Sequence, residues 1–279
     1  MVRRHNFRYY LQLVILHGVL LAVALLFVFP VFWLVTGAFK PPDDTIANPP
    51  LIWPQRWTLD NFSQVFTTVP FGRWIFNTAL VAGTVTVVAL LFHSMAAYSL
   101  ARLKFPGRGI LFVLIISTLM IGFPVILVPL FILVKNLHWI NTYWALIIPN
   151  IFNAYGIFLL RQFYLGIPRE LEEAATIDGT SLAGIYFRII LPLSRPILSA
   201  LAIFFFLANW NFFLWPLVVT TDADLQVLQV GIATFSSQYG SAWNLILAAS
   251  LIATLPIVLL FAFFQRYIVE SVKMSGMKL

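Results

Sequence analysis

The sequence has no cysteine and very little charge. Of its 279 residues, 61% are hydrophobic and 10% are charged, and the mean hydropathy is +0.93. Because a soluble domain carries about 25% charged residues, this composition excludes an ordinary soluble globule and predicts a protein embedded in a bilayer. The absence of cysteine excludes disulfides, thiolate metal sites and cysteine nucleophiles.

Two motifs of catalytic or metal sites are missing as well. The four histidines, His5, His17, His93 and His138, are too widely spaced for a local metal pair such as HExxH. No glycine is followed by lysine, so the chain lacks the phosphate-binding loop of P-loop ATPases. We therefore expect no catalytic residue, no metal site and no cofactor-binding site in this chain, and no ATP hydrolysis by it alone.

Six long apolar stretches contain no Asp, Glu, Lys or Arg. A helix that crosses about 30 Å of hydrocarbon needs about 20 such residues, and continuous hydrophobicity favours helices over barrel strands. The sequence therefore predicts an all-α, polytopic membrane protein in which residues 1–279 form one transmembrane domain with six helices. The predicted spans lie near residues 13–36, 77–99, 110–134, 143–160, 197–219 and 245–264.

The basic residues indicate how these spans are oriented. If the N-terminus is cytoplasmic, thirteen of the 17 Lys and Arg residues lie on the cytoplasmic side and four outside. The positive-inside rule therefore places both termini in the cytoplasm, in a multi-pass protein of the cytoplasmic (inner) membrane. Of the nine tryptophans, all but Trp210 lie at or beyond the outer ends of the spans, as interfacial rings do. The net charge of +7 thus reflects topology and does not indicate nucleic-acid binding.

The loop between the fourth and fifth spans, residues 161–196, holds more charge than any other segment. Pro168 suits the first turn of a helix, the glutamates after it place negative charge near the helix N-terminus, and Gly179 suits the helix end. A hydroxyl side chain just after that glycine can cap a second short helix that ends before Leu191. The loop is predicted to form a helix-turn-helix on the cytoplasmic face.

Composition and pattern support different interpretations of this loop. Composition alone allows a solvated connector in which Arg169 pairs with Glu172 or Glu173. The order of residues is Glu-Ala-Ala, three residues, Gly, nine residues, Ile, one residue, Leu-Pro, and it resembles the EAA signature of membrane subunits of ATP-binding-cassette (ABC) importers. That signature is carried by Glu173, Ala174, Ala175, Gly179, Ile189, Leu191 and Pro192.

The resemblance covers nearly the whole chain and is strongest to the carbohydrate branch of these permeases, in particular to the shorter permease of maltose-type importers. It implies a non-catalytic subunit that translocates a sugar or oligosaccharide delivered by an extracellular or periplasmic solute-binding protein. The other matching stretches are Leu59–Phe62, Phe76–Leu80, Ala96–Arg102, Ile177–Gly179, Trp210–Asn211 and Phe264–Tyr267.

In this family the EAA loop forms a coupling helix that enters a cleft on a cytoplasmic ATPase. The resemblance also implies four kinds of partner: a second homologous permease, two copies of the ATPase, the solute-binding protein and membrane lipid. The ATPases, and not this chain, would bind ATP and Mg²⁺. The residues to which an ATPase-coupling role is carried over are Glu173, Ala174, Ala175, Asp178, Gly179, Ile189, Leu191 and Pro192.

Several polar residues near or within the spans allow two interpretations. Asn150, Asn209 and Asn211 either form hydrogen bonds between helices or line a translocation path. His17 and His93 are expected to be packed or hydrogen-bonded neutral imidazoles. The loop of residues 220–243 either reaches towards the binding protein or is a plain solvated turn.

Two alternatives to sugar import remain open. Related permeases serve glycerol phosphate or related solutes, so the same importer class with such a substrate is one alternative. The other is an ion-coupled secondary transporter that works alone. Such carriers bury a charged residue at mid-membrane, and the six predicted spans contain none, which disfavours this alternative.

Overall fold

The computed structural model describes residues 7–238 and 242–276, with side chains described over residues 12–235 and 242–263. Within those residues every regular element is a helix, which confirms the all-α prediction. The basic residues Arg3, Arg4 and Lys278 used for orientation, and His5, lie outside the described residues. Of the Phe264–Tyr267 stretch, only the backbone is described.

The described residues contain fifteen α-helices, one 3-10 turn (Thr118–Met120) and one π turn (Tyr186–Ile190). The helices are α1 Phe7–Ala38, α2 Pro42–Thr45, α3 Asp60–Thr68, α4 Phe71–Arg102, α5 Arg108–Ser117, α6 Phe123–Asn136, α7 Tyr143–Ile151, α8 Ala154–Leu165, α9 Glu170–Ile177, α10 Leu182–Ile185, α11 Leu191–Leu193, α12 Arg195–Trp210, α13 Leu214–Val219, α14 Leu228–Gln238 and α15 Trp243–Gly276.

Four helical segments are long and apolar enough to cross a membrane, and two bent pairs bring the number to six if each pair is one span. The bent pairs are Arg108–Met120 with α6, at 103°, and Leu182–Leu193 with α12, at 74°. The four unbent segments are Gln12–Ala38, Phe71–Arg102, Tyr143–Leu165 and Trp243–Phe263.

Two predicted spans are interrupted by proline. In the predicted span 110–134, Gly122 caps a new helix and Pro124 occupies its first turn, where the missing N–H of proline costs nothing. In the predicted span 197–219, helix α12 ends at Trp210 and α13 begins at Leu214. Continuing α12 would bring the Pro216 ring against the carbonyl four residues earlier and remove a helical hydrogen bond. Proline inside an apolar helix predicts a kink at Pro124, where the structure has the 103° bend, whereas the break before Pro216 was not predicted.

The chain divides into two compact units. The first comprises residues 1–69 and 232–255, and its polar centre is Asn61. The Asn61 Nδ2 donates to the Ala38 and Lys40 carbonyls at 2.9 and 2.7 Å, while its Oδ1 accepts from the Asn244 side chain at 2.7 Å. The Lys40 ammonium lies 4.4 Å from the centre of the Trp33 ring. Burial lowers the pKa of Lys40, and the charge of Asp44 partly opposes this.

The second unit comprises residues 70–231 and 256–279. Its long helix α4 packs against α7, α8 and α12 and contributes to two apolar cores, one around Tyr98 and Tyr164 and one around Val85 and Trp215. Helix α8 approaches closely because residue 156 is glycine. A Cβ there would lie 2.5 Å from His93 Nδ1 and 2.6 Å from Phe205 Cζ.

Candidate functional site

The EAA loop, residues 161–196, begins with the helix that the sequence predicts. Helix α9 follows Pro168 and carries glutamates in its first turn, where they complement the helix dipole. The chain then turns at Gly179, whose φ of +78° lies in the left-handed region that glycine adopts without strain.

The second half of the EAA loop is longer than predicted. The Ser181 hydroxyl accepts a hydrogen bond from the Gly184 N–H at 3.2 Å and caps α10, but the chain stays helical through Leu193. The predicted end before Leu191 is therefore wrong. A π turn at Tyr186–Ile190 comes just before Pro192, and this wider turn relieves the clash that a proline ring makes in a regular α-helix.

The eight residues of the implied coupling role fall into two groups. The first group is exposed and, together with Ile177, whose side chain is 86% exposed, forms what we call the tip of the loop. The second group faces inward and forms the base, where residue 175 is buried and 189 and 191 pack against the same core. The tip contains Glu173, Ala174, Asp178 and Gly179; the base contains Ala175, Ile189, Leu191 and the half-buried Pro192.

Glu172 belongs to neither group, because it is paired with α4. Its Oε1 lies 2.9 Å from Arg102 Nε, and the two side chains are only 17% and 4% exposed. The Tyr98 hydroxyl donates to the other carboxylate oxygen at 3.3 Å, and Arg102 Nη2 also donates to the Ile167 carbonyl. The connector interpretation, in which Glu172 pairs with Arg169, is therefore wrong for this carboxylate.

A second polar contact joins the EAA loop to α4. The Tyr186 hydroxyl donates to Ser94 Oγ at 2.7 Å, and Ser94 Oγ lies 2.6 Å from the Tyr164 hydroxyl. All three side chains are buried. Sequence reasoning missed both contacts, although a serine and tyrosines near the end of an apolar helix are residues that need partners when buried.

A cavity of about 300 Å³ lies among α4, α6, α7 and α12. Amides and an imidazole supply its polar groups, and phenylalanine rings supply much of the remaining wall. The polar lining residues are His93, Asn150, Asn153 and Asn209, and the aromatic ones are Phe123, Phe152, Phe205 and Phe212.

The structure brings together two of the three asparagines that the sequence singles out. Asn150 and Asn209 both line the cavity, and each donates to a carbonyl of its own helix, to Leu146 O at 2.7 Å and Phe205 O at 2.8 Å. Asn211 is not a lining residue, and its side-chain oxygen accepts from Gln229 at 3.3 Å.

His93 also lines the cavity, and the sequence predicts that it is a packed or hydrogen-bonded neutral imidazole. It is 1% exposed, and its Nε2 accepts from the Asn153 backbone N–H at 3.1 Å. The neutral tautomer therefore carries its proton on Nδ1, for which the described residues supply no hydrogen-bond partner. Among the described residues, no three His, Asp or Glu side chains gather as metal ligands would.

The loop of residues 220–228 is fastened at the other end of α4. Trp74 Nε1 donates to the Ala223 carbonyl at 2.7 Å, and Asn77 Nδ2 donates to the Asp224 and Gln226 carbonyls at 2.8 and 2.9 Å. The Asp222 and Asp224 side chains are exposed. The loop is a fixed turn in this structure, and both interpretations of its role remain predictions.

Comparison with known proteins identifies the family to which these features belong. The sequence profile of the binding-protein-dependent transport system inner membrane components matches residues 93–274. The arabinooligosaccharides transport system permease protein AraQ of Halalkalibacterium halodurans is 41% identical over 92% of this chain and 93% of its own length. The sn-glycerol-3-phosphate transport system permease protein UgpE of Yersinia enterocolitica is 31% identical over 91% of this chain and 94% of its own.

A solved structure has the same fold. A chain of a bacterial ABC transporter involved in the import of the acidic polysaccharide alginate superposes with a TM-score of 0.82 at 19% identity, over 94% of this chain and 98% of that one. At this identity the likeness concerns the fold alone.

Proposed function

The chain belongs to the family of binding-protein-dependent transport system inner membrane components, and we propose that it is a permease subunit of an ATP-driven ABC importer for a sugar or oligosaccharide. The observation that carries the proposal is the exposed tip of the EAA loop, which projects from a base packed into the core. The similarity to a permease named for arabinooligosaccharides supports the carbohydrate class.

The tip has the chemistry of a docking surface for a cytoplasmic ATPase. The Glu173 carboxylate can pair with a basic side chain, Ala174 allows a close approach to the helix backbone, and the left-handed Gly179 turns the chain sharply. The base residues Ile189 and Leu191 pack against the core, which holds the loop to the rest of the chain. ATP and Mg²⁺ would be bound by the ATPase, so this chain needs no catalytic residue or cofactor.

Partners and orientation follow from this assignment. Two ATPase copies and a second, homologous permease would complete the membrane assembly, with a solute-binding protein on the opposite face. The tip must face the cytoplasm, where the ATP is. The EAA loop and both termini are then cytoplasmic, the 220–228 loop faces outward, and thirteen of the 17 basic residues lie inside.

The cavity suits a neutral, hydroxyl-rich solute. Amide oxygens of Asn150 and Asn209 are available to hydroxyl groups, and phenylalanine rings can pack on the apolar faces of a sugar ring. A glycerol phosphate would require a Lys or Arg side chain to pair with its phosphate, and the described lining residues include neither. We therefore favour sugar over glycerol phosphate for this cavity.

The importer assignment is tested by purifying the tagged chain from its native membrane in mild detergent and identifying every co-purifying protein by mass. We expect an ATPase with a P-loop, a second EAA permease and a solute-binding protein. A chain that purifies alone and still drives uptake into vesicles without ATP would replace this assignment with a secondary transporter.

The cavity is tested by Asn209→Leu, with Asn211→Leu as the matched control two residues along the chain. Asn209 lines the cavity and Asn211 does not. We expect the first variant to lower ATP-dependent uptake about tenfold and the second to leave it within about twofold, with equal amounts of assembled importer. Equal uptake by the two variants would remove the cavity from the translocation path.

A further inference from the structure

Two adjacent glutamates in the EAA loop face in opposite directions. Glu173 is exposed at the tip, whereas the Glu172 side chain is 17% exposed and turned towards α4. Its carboxylate is engaged by Arg102 at 2.9 Å and by the Tyr98 hydroxyl at 3.3 Å. Glu172 is therefore not available to an external partner in the way that Glu173 is.

The same guanidinium also binds the segment that enters α9. Arg102 Nη2 donates to the Ile167 carbonyl, one residue before Pro168. One side chain at the end of α4 thus holds both the start of the coupling helix and the turn that precedes it. The planar guanidinium of arginine can bind two acceptors at once in a fixed geometry, which a lysine ammonium cannot do.

Helix α4 carries a second attachment and also a wall of the cavity. Ser94 accepts from Tyr186 of the EAA loop at 2.7 Å, and the residue before it, His93, lines the cavity. Helix α4 runs unbroken for 32 residues and contains no proline. The helix therefore connects both attachments to the cavity wall at His93 without a break in its backbone hydrogen bonds.

We propose that Arg102 and Tyr98, acting on Glu172, are positioning residues that fasten α9, the first helix of the EAA loop, to α4, so that a force on the exposed tip moves the cavity wall. This proposal rests on the proposed function. It separates the two glutamates: Glu173 contacts the ATPase, and Glu172 converts that contact into movement of α4. A purely structural role for the pair would stabilise the fold without affecting how efficiently hydrolysis drives uptake.

The first experiment measures the attachment itself and requires no ATPase. The chain has no native cysteine, so Lys104→Cys and Ile177→Cys introduce two unique spin-label sites, one just beyond α4 and one on the tip. In lipid nanodiscs we expect a narrow distance distribution, at least twofold broader in Glu172→Gln and unchanged in Glu170→Gln. Glu170 is the matched control because it is an exposed carboxylate in the same helical turn.

The second experiment measures coupling in proteoliposomes that contain the assembled importer. The readout is the amount of solute taken up per ATP hydrolysed, which a loss of folded protein does not change. We expect Glu172→Gln to lower this ratio at least fivefold while Glu170→Gln leaves it within about twofold. The exchanged pair Arg102→Glu with Glu172→Arg restores the ion pair and should recover at least half of the lost ratio.

Each result separates this proposal from the proposed function. An equally narrow label distribution in Glu172→Gln overturns the attachment whether or not an ATPase binds. An unchanged ratio in Glu172→Gln, or no recovery in an exchanged variant that assembles normally, overturns its role in coupling. If the wild-type chain assembles with no ATPase, the proposed function fails and the coupling role fails with it, while the label distances still decide the attachment.

Discussion

The two ends of α4 hold their neighbouring loops in different ways. At the Phe71 end, Trp74 and Asn77 donate to three carbonyls of the 220–228 loop, and Thr78 accepts from the Leu228 N–H at 2.8 Å. Side chains of α4 thus bind the loop along its length. At the Arg102 end, side chains of α4 bind Glu172 and the Ile167 carbonyl of the EAA loop, and the tip of the loop is exposed.

The 220–228 loop is therefore bound along its length, whereas the EAA loop is attached to α4 but leaves its tip available to a partner. Hydrogen bonds from side chains to its backbone carbonyls leave the 220–228 loop little freedom to move. Breaking any of them leaves a buried polar group without a partner, which costs free energy. The EAA loop is attached to α4 through the side chains of Glu172 and Tyr186, neither of which belongs to the tip, so its tip residues contribute little to the fold. We therefore expect substitutions at the tip to remove function at constant stability, and those at the Phe71 end to remove stability.

The largest effect is expected at the tip. Glu173→Lys should lower ATP-dependent uptake at least a hundredfold, because it reverses the charge offered to the ATPase. Its melting temperature should not change, since exposed substitutions away from structural contacts alter stability by less than about 0.5 kcal/mol. Uptake assays and thermal unfolding of the purified chain check this, with the exposed Glu170→Lys as control. Normal uptake by Glu173→Lys would remove the tip from the coupling surface.

The next effect is expected at the Phe71 end. The Asn77 side chain donates to two carbonyls and its Oδ1 accepts from the Tyr143 hydroxyl at 2.6 Å. Asn77→Ala leaves these partners unsatisfied, which should cost about 2 to 4 kcal/mol and lower the melting temperature by about 5 to 10 °C.

The control for Asn77 is Asp224→Asn, because only the backbone carbonyl of Asp224 takes part in the contact. Thermal unfolding in detergent measures both variants. If the control were destabilised as much as Asn77→Ala, the loop would be held by its carboxylate and not by its backbone.

A smaller loss of stability is expected from Gly231→Ala. The helix that carries Gly231 lies directly on Trp74, and a Cβ would overlap the indole ring. The ring cannot turn away without losing its hydrogen bond to the Ala223 carbonyl, so we expect a cost of about 1 to 3 kcal/mol. Gly83→Ala in α4 meets no atom within 4 Å and should be neutral or slightly stabilising. Equal melting temperatures for the two variants would contradict this close packing.

The same comparison shows which features could be predicted from sequence. Apolar runs without charge locate most of the candidate spans, and the start of α9, its glutamates and the turn at Gly179 follow from helix-end chemistry. These features are local, since they depend on residues within a few positions of one another. The bend at Pro124 is equally local, since proline kinks a helix, whereas the break before Pro216 was not predicted because the apolar run continues through it.

The features that sequence could not supply join residues far apart in the chain. The pairing of Arg102 with Glu172 spans 70 residues, and that of Asn77 with Gln226 spans 149. Composition offers several partners for each of these groups, and only the packing of α4 against its neighbours selects one. The cavity arises in the same way, because His93, Asn150 and Asn209 share it through the approach of three helices.

The smallest effect is expected at Asp222 on the 220–228 loop. Its Oδ1 accepts from the Asp224 N–H at 3.1 Å in an exposed turn, and the Asn141 side chain holds the neighbouring backbone independently. We expect Asp222→Ala to change stability by less than about 0.5 kcal/mol and uptake by less than about twofold. Melting temperature and uptake at limiting solute-binding protein measure this. If uptake instead fell at unchanged stability, the carboxylate would contact the binding protein, and the fixed turn would be a docking edge.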